Sequence, residues 1–178
     1  QNEFEKKLEW FTDVPDELIG HIHYFKGTLF KKRKWRAESL VSFRKAAEIL
    51  PHSLFVLKSA AYAARNEEEE KKYWNLILDQ DCSDKTALRR LGSMAHIRGN
   101  FSSAEKYYKK LIEMNPLYLH AYSLLADLYV DKGDTKKALK LYEQARAMFP
   151  QHPAVNREKA ALLLLTHKDK EGIAEVSA

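Results

Sequence analysis

The sequence has a single cysteine, Cys82, among 178 residues. One thiol cannot form an internal disulfide framework, and by itself it cannot bind a metal ion. No run of about 18 uncharged apolar residues occurs, so no segment is predicted to span a membrane. Six glycines and five prolines are present, and no linker rich in proline, glycine or serine divides the chain. These absences favour one continuous domain over two.

Motifs of common catalytic and metal sites are missing as well. The sequence has no glycine-rich phosphate loop, no Cys-x-x-Cys motif and no His-Glu-x-x-His motif. His21 and His23 are the closest pair of histidines, but residues two apart on a helix point about 200° away from each other and cannot chelate a metal. We therefore expect a non-enzyme with no catalytic residues, no metal site and no cofactor.

What the sequence does contain is a pattern that recurs after 34 residues, the separation between Leu88 and Tyr122. The first copy consists of Leu88, Leu91, Gly92, Gly99, Asn100, Ala104, Tyr108 and Pro116. The second copy consists of Tyr122, Leu125, Ala126, Gly133, Asp134, Ala138, Tyr142 and Pro150. A period of this length indicates stacked helical hairpins, which can present a long concave binding surface.

Each copy is predicted to fold as two helices joined by a tight turn. The first helix carries one apolar stripe at positions i, i+3, i+4 and i+7, formed by Leu88, Leu91, Gly92 and Ala95. Gly99 is expected to end that helix, because glycine adopts the left-handed conformation without steric cost. Ser102 and Glu105 have the spacing of a capping box at the start of the second helix, and Pro116 ends it.

This pattern resembles the tetratricopeptide repeat, in which an aromatic or apolar residue, Leu-Gly, an aromatic, Ala, an aromatic, Ala and Pro follow in order. Residues 119–152 match at Tyr122, Leu125, Ala126, Tyr129, Gly133, Asp134, Ala138, Tyr142, Ala145 and Pro150. Residues 85–118 match nearly as well and depart at Ala95 and Leu111. The resemblance implies an all-α fold, a right-handed superhelical solenoid of helical hairpins.

Two weaker units precede these, so that residues 18–152 hold about four repeats. Residues 18–53 show the same order at Gly27, Phe30, Ser39, Phe43, Ala46 and Pro51. Residues 54–84 form a shortened unit, with Leu57, Ala60, Ala61 and Ala64 on its first helix and Trp74 and Ile77 on its second. We expect the missing residues of this unit to be lost from the turn near Asn66.

Both ends are interpreted as parts of further units. Residues 1–17 contain a short amphipathic stretch, expected to be the second helix of a preceding hairpin, and residues 153–178 are expected to form a terminal helix plus a partial partner helix. The run Leu162–Leu165 spreads apolar surface around this helix, which indicates either a capping helix or self-association. Because the chain begins with Gln1 and not with Met, we expect it to be a processed protein or a piece of a longer one.

The resemblance also implies a function, since the first helices of such repeats line a groove that holds partner proteins. The groove-facing positions correspond to Tyr24, Thr28, Phe55, Lys58, Tyr62, Arg65, Arg89, Ser93, His96, His120, Ser123, Asp127 and Asp131. We therefore expect a protein-interaction scaffold that binds a peptide segment. The segment is expected to be acidic or of mixed charge, because Lys58 and Arg89 can pair with carboxylates.

A basic run supports an alternative, which is binding to RNA or another polyanion. It consists of Lys31, Lys32, Arg33, Lys34 and Arg36 around Trp35, in a chain of net charge +5. The simpler interpretation is a solvated turn between two helices. A third interpretation makes the chain the docking region of a larger enzyme or of a secretion or assembly apparatus. The compartment stays open, with a soluble cytoplasmic protein favoured over a periplasmic or secreted one.

Overall fold

The computed structural model describes residues 14–165, and that part of the chain contains nine α-helices and no strand. The helices are α1 (Asp16–Lys32), α2 (Arg36–Ile49), α3 (Leu54–Ala63), α4 (Glu67–Gln80), α5 (Lys85–Ile97), α6 (Phe101–Met114), α7 (Leu119–Asp131), α8 (Thr135–Met148) and α9 (Pro153–Leu165). Short turns join successive helices, and α1–α2, α3–α4, α5–α6 and α7–α8 pack as hairpins. The predicted all-α fold of helical hairpins is confirmed.

The chain divides into two compact units, with the boundary between Cys82 and Ser83. The first unit contains α1 to α4, and the second contains α5 to α9. Composition predicted one undivided domain because no linker rich in glycine, proline or serine is present. The boundary falls instead in the short segment between α4 and α5, which has no such composition.

Within a hairpin, a glycine lets the two helices approach closely. A Cβ atom built on Gly92 of α5 would lie 2.5 Å from the Cε1 atom of Tyr108 on α6. The degenerate first hairpin uses the same device, because a Cβ on Gly27 of α1 would lie 2.7 Å from Cδ1 of Phe43 on α2. There the Ser39 hydroxyl also donates a hydrogen bond of 2.9 Å to the carbonyl oxygen of Gly27. The degenerate first repeat, residues 18–53, is therefore a hairpin of the same kind.

The tight turns of the second unit form as predicted, but their capping residues differ. Gly99 and Gly133 adopt φ angles of +72° and +75°, as expected for residues that end the first helices. The N-cap of α6 is Asn100, whose side chain accepts a hydrogen bond of 3.1 Å from the Ser103 amide. The predicted capping box of Ser102 and Glu105 is therefore wrong, because the helix begins earlier and the Glu105 carboxylate is engaged by α7 and by Lys109.

The shortened unit loses its residues from the first helix and not from the turn. Helix α3 has 10 residues, whereas α5 and α7 have 13 each. It ends at Ala63, so the prediction that Ala64 lies on this helix is wrong. Asn66 is the N-cap of α4, where its side chain accepts a hydrogen bond of 2.9 Å from the Glu69 amide. The turn before α4 spans residues 64–66 and is as long as those at 98–100 and 132–134, so the deletion falls in α3.

Helix α9 continues the packing of the second unit, since it packs against α8. Val155, Ala160 and Leu163 of this helix are buried. The proposed self-association through Leu162–Leu165 concerns side chains of which only that of Leu163 is described. The predictions for residues 1–13 and 166–178 lie outside the described residues. Within residues 14–165, none of the helices has the length and apolarity needed to cross a bilayer.

Candidate peptide-binding faces

In the first unit, exposed aromatic residues lie on the first helices of the two hairpins. Phe55 and Tyr62 on α3 are 64% and 52% exposed. Tyr24 on α1 joins them, because its ring centroid lies 4.8 Å from that of Phe55 and 5.7 Å from that of the buried Phe43. We name this surface the α1–α3 face, and it comprises Tyr24, Thr28, Phe55, Lys58 and Tyr62.

Helical spacing brings the α3 residues of this face together. Phe55, Lys58 and Tyr62 occupy positions i, i+3 and i+7, which lie on one side of a helix. The Tyr62 ring meets the buried Trp74 of α4 edge-on at 5.2 Å, which holds the tyrosine in place. On α1, the Thr28 hydroxyl donates to the carbonyl oxygen of Tyr24 at 3.1 Å. The threonine therefore contributes mainly its methyl group to the face.

Arg65, the remaining predicted residue of this unit, lies beyond the end of α3 in the turn before α4. Its backbone amide donates a hydrogen bond of 3.0 Å to the Glu69 carboxylate. The guanidinium of Arg44 on α2 binds both oxygens of the same carboxylate. This bidentate pair lowers the pKa of Glu69. The turn is thus anchored to α2 and α4.

In the second unit, predicted groove residues from α5 and α7 influence one tyrosine hydroxyl, that of Tyr108. The Tyr108 hydroxyl lies 3.4 Å from the Ser93 hydroxyl, to which it donates a hydrogen bond. Burial raises the pKa of Tyr108, and the hydrogen bond to Ser93 opposes that rise. The negative charge of Asp127 raises this pKa further, whereas the positive charge of Arg89 lowers it. Ser93 contacts this hydroxyl, and the charges of Arg89 and Asp127 act on it; we name the surface of these residues the α5–α7 face.

A side-chain contact between His96 and Asp131 extends this face toward the ends of its two helices. His96 Nε2 lies 2.8 Å from Asp131 Oδ2, and the imidazole also stacks edge-on against the rings of Phe101 and Tyr108 at 5.9 and 6.2 Å. Sequence reasoning placed His96 and Asp131 on the groove but treated Tyr108 only as a core residue. Its ring is 1% exposed, and only the structure shows that its hydroxyl reaches the face.

The other two predicted residues of this unit, His120 and Ser123, lie on the first half of α7. The His120 ring meets Tyr118 edge-on at 5.8 Å. The ammonium group of Lys85 lies 4.8 Å from the centroid of the same Tyr118 ring, which links the starts of α5 and α7. His120 is exposed and Ser123 is half-buried. The structure thus places both residues on the first half of α7.

A carboxylate that the sequence assigned to a helix cap instead joins α6 to α7. Glu105 accepts hydrogen bonds of 3.0 Å from both the Tyr129 hydroxyl and the Lys132 ammonium group, and pairs with Lys109 at 2.8 Å. The Lys109 pair, with the bonds from Lys132 and Tyr129, lowers the pKa of Glu105 to about 2. Lys109 lies on α6 with Glu105, so it is Tyr129 and Lys132 that hold the two helices of neighbouring hairpins together.

The basic run occupies the end of α1, the following turn and the start of α2. All five cations, Lys31, Lys32, Arg33, Lys34 and Arg36, are exposed. The rings of Phe30 and Trp35 lie 5.6 Å apart, and the Arg33 guanidinium stacks 5.5 Å from the Trp35 centroid. Lys34 takes a φ of 62°, which turns the chain sharply between the helices. The structure therefore brings the predicted polyanion residues together around an aromatic pair.

Comparison with known proteins agrees with this geometry. Residues 95–162 match the model of the tetratricopeptide repeat family. This part of the chain carries tetratricopeptide repeats. The matched range covers α6, α7, α8 and most of α9, so it includes the regular unit 119–152 and residues 95–118 of the one before it. The resemblance inferred from the sequence is confirmed.

Solved structures of similar fold include MamA, with a TM-score of 0.74 and 16% identity over 89% of this chain and 88% of that one. A tetratricopeptide repeat protein from Parabacteroides merdae gives a TM-score of 0.69 with 18% identity, over 89% of this chain and 63% of that one. PilF of Pseudomonas aeruginosa gives a TM-score of 0.65 with 16% identity, over 91% of this chain and 77% of that one. At such identities the likeness shows the fold.

Among curated proteins, the uncharacterized protein ycf37 of Pyropia yezoensis is 31% identical over 90 residues. The match covers 50% of this chain and 51% of that protein. The chain thus aligns with about half the length of this relative. Tetratricopeptide repeats are generally non-catalytic protein-interaction scaffolds, which is the general class that the fold supports.

Proposed function

We propose that the chain is a non-catalytic scaffold that binds a peptide segment of a partner protein on the faces formed by its first helices. The observation that carries this proposal is the pair of exposed aromatic residues on α3. Phe55 is 64% exposed and Tyr62 is 52% exposed, with Lys58 between them. Large aromatic side chains at the surface are the commonest anchors of protein interfaces, and this surface is rigid because Tyr24 and Trp74 support it.

The chemistry of the α1–α3 face defines the segment that it would take. Covering the exposed part of Phe55 or Tyr62 contributes about 1 to 2 kcal/mol each, at about 25 cal/mol per Å² of apolar surface. The Lys58 ammonium group can pair with a carboxylate placed between the two apolar contacts. We therefore propose a segment with two apolar or aromatic side chains that flank an aspartate or glutamate.

The α5–α7 face differs, because it presents both signs of charge. Arg89 can pair with a carboxylate, whereas Asp127 and Asp131 favour a cation, and Ser93 supplies a hydroxyl. This arrangement supports recognition of a mixed-charge segment. Whether the whole protein acts within a larger enzyme or assembly is a further proposal, supported by the match to only half of its curated relative.

A peptide display selection on the intact chain tests the function proposed for the first unit. We expect the selected peptides to be rich in acidic and aromatic residues. The variants Phe55→Ala and Lys58→Glu should each weaken binding of such a peptide by about tenfold or more, in the range of interface hot spots. Val41→Ala removes a side chain on α2 that is 51% exposed and serves as the matched control.

The control variant should bind the peptide as tightly as the unaltered chain. Isothermal titration calorimetry gives the affinities, and circular dichroism checks that each variant keeps its helices. Peptides that bind both the Phe55→Ala and Lys58→Glu variants at full affinity would exclude the α1–α3 face as the site.

A further inference from the structure

A groove lies between α6 and α8, the second helices of the two hairpins in the second unit. Its volume is about 360 Å³, and it is an open groove and not an enclosed cavity. Side chains from all three helices α6, α7 and α8 form an apolar floor, which consists of Ile112, Leu125, Tyr129 and Leu141. We name this surface the α6–α8 groove.

The groove lies well inside the described part of the chain. Every residue of α6, α7 and α8 is described, and described helices lie on both sides of this segment, α5 before it and α9 after it. Helix α9 packs against α8. No described residue of α5 or α9 lines the groove. The walls and the floor are thus defined by three neighbouring helices of known position within one unit.

The dimensions of the groove suit one side of a helix. Along α8 its lining runs from Lys137 to Gln144, which is about 10 Å at 1.5 Å per residue. At about 30 Å³ for each water-sized group, the volume holds about three leucine side chains. A helix places three such side chains on one side over about 10 Å, at i, i+4 and i+7, whereas an extended strand places only two. The groove therefore favours a helical occupant.

The rim of the groove carries cations on both sides. They are Lys109 of α6 and Lys137 and Lys140 of α8, and all three are exposed. Lys109 pairs with Glu105 at 2.8 Å and Lys137 pairs with Asp134 at 2.7 Å, but both lysine side chains are 60% exposed. Exposed pairs are weak, and an ammonium group has three donors, so each lysine can also bind a carboxylate of a partner.

The positive charge remains when the neighbouring acids are counted. Helices α6 and α8 together contain seven lysines and arginines and three glutamates. The turn before α8 adds Lys132 and Asp134, which cancel. Helix α7 contains only acidic charges, Asp127 and Asp131, and at 100° per residue both point away from its floor residues Leu125 and Tyr129. The groove side of the unit is thus positively charged.

We propose that the α6–α8 groove is a docking surface for an amphipathic helix of a partner protein, whose apolar side is flanked by aspartate or glutamate. The apolar side chains of that helix cover the floor at Ile112 and Leu141, and its carboxylates pair with Lys137 and Lys140. The faces of the proposed function lie on first helices, whereas this groove lies between second helices. It is therefore a separate surface, and it does not rest on the proposed function.

The aliphatic floor decides between a helix and a single-stranded nucleic acid. A nucleic acid pairs with lysines and stacks its bases on exposed aromatic rings. The one aromatic ring of the floor, Tyr129, is 6% exposed, and the ammonium groups of Lys132 and Lys137 lie 6.0 and 5.7 Å from its centroid. Bases gain little from Ile112 and Leu141. An acidic amphipathic helix uses the floor and the rim together.

Fluorescence anisotropy with the full chain and a labelled synthetic peptide tests the proposal. The peptide is a helix of about 18 residues, because shorter isolated helices are marginal in water. Leucines at i, i+4 and i+7 form its apolar side, and glutamates flank them. One matched peptide has lysines in place of the glutamates, and the other scatters the same leucines around the helix. We expect the first peptide to bind, more weakly as salt is added, and the two others to bind about tenfold more weakly or less.

Two variants of the chain separate the contributions of the rim and the floor. Lys137→Gln/Lys140→Gln should lower the affinity for the acidic peptide by about tenfold, because two ion pairs with the peptide are lost. Ile112→Ala should lower it by about fivefold, because part of the apolar contact is lost. If Ile112→Ala loses helix content, the lysine variant and the three peptides decide the question.

Matched controls remove the same groups elsewhere in the second unit. Lys106→Gln/Lys136→Gln removes two exposed cations from the same two helices, and neither residue lines the groove. Ile97→Ala makes the same apolar truncation at a side chain that is 87% exposed. Both control variants should bind the acidic peptide as tightly as the unaltered chain, and circular dichroism should show unchanged helix content.

Four results would overturn the proposal. Failure of the acidic peptide to bind, or equal binding of the lysine peptide, contradicts the charge requirement. Binding that is lost in Phe55→Ala but kept in Lys137→Gln/Lys140→Gln places the peptide on the α1–α3 face. Single-stranded RNA that displaces the peptide from the unaltered chain but not from Ile112→Ala would identify a polyanion site. Tighter binding by a chain that ends at residue 165 would show that the chain's own terminal residues occupy the groove.

Discussion

Glu105 gives the sharpest test of how neighbouring hairpins are held together. Its carboxylate on α6 receives the Tyr129 hydroxyl and the Lys132 ammonium group of the α7 region, and it also pairs with Lys109. Replacing Glu105 with Gln keeps the size of the side chain and removes its charge. We expect the variant to be less stable at neutral pH, because both lysines lose their ionic partner.

The expected loss of stability follows from the lowered pKa of Glu105 and from the exposure of its two lysine partners. Lowering the pKa of Glu105 from 4.5 to about 2 corresponds to an upper bound of about 3 kcal/mol. The side chains of Lys109 and Lys132 are 60% and 31% exposed, so solvent screens much of this interaction. We therefore expect Glu105→Gln to lower the free energy of unfolding by about 1 to 2 kcal/mol at neutral pH.

The pH dependence distinguishes this explanation from a loss of packing. Because the folded protein holds the pKa of Glu105 below its unfolded value, the charged carboxylate stabilises the fold fully above about pH 4.5. That stabilisation is lost as the pH falls through about 2, where the carboxyl group becomes protonated in the folded state too. The stability difference between the unaltered chain and Glu105→Gln should therefore shrink over this range.

Urea denaturation followed by far-ultraviolet circular dichroism, repeated from about pH 7 down to about pH 2, measures this difference. Taking the difference cancels the contributions of the other carboxyl groups. Glu113→Gln, an exposed change on the same helix, is the control and should be nearly neutral at every pH. A Glu105→Gln effect that stays constant across the range, or one no larger than that of Glu113→Gln, would refute the ionic explanation.

Two further predictions concern the turns and the helix contacts. Gly92→Ala should lower the melting temperature, because its Cβ would lie 2.5 Å from the Tyr108 ring and overpacking costs about 1 to 3 kcal/mol. Helix propensity alone would add about 1 kcal/mol of stability, so a raised melting temperature contradicts this contact. Asn100→Ala should cost about 1 kcal/mol by removing the cap of α6, whereas Ser102→Ala should be nearly neutral in the same thermal melts.

The site could be predicted in part because groove positions follow from repeat register. Once Leu88 and Tyr122 are placed in phase, Arg89, Ser93 and Asp127 are expected on the first helices, and the structure has them there; that they bind a partner stays a prediction. Register also places Phe55 and Lys58. It misassigned Glu105, because its spacing from Ser102 suits a helix cap and only three-dimensional proximity reveals Tyr129 and Lys132 as its partners.

The local order of residues by itself determined the helical hairpins, the left-handed glycines at Gly99 and Gly133, and the two regular units, since these depend on periodicity and backbone conformation over short distances. Tertiary structure alone decided that α3 is the shortened helix, that Asn100 caps α6, and that Glu105 joins α6 to Tyr129 and Lys132. Each of these depends on which surfaces and polar groups meet across the chain, and a linear pattern does not specify that.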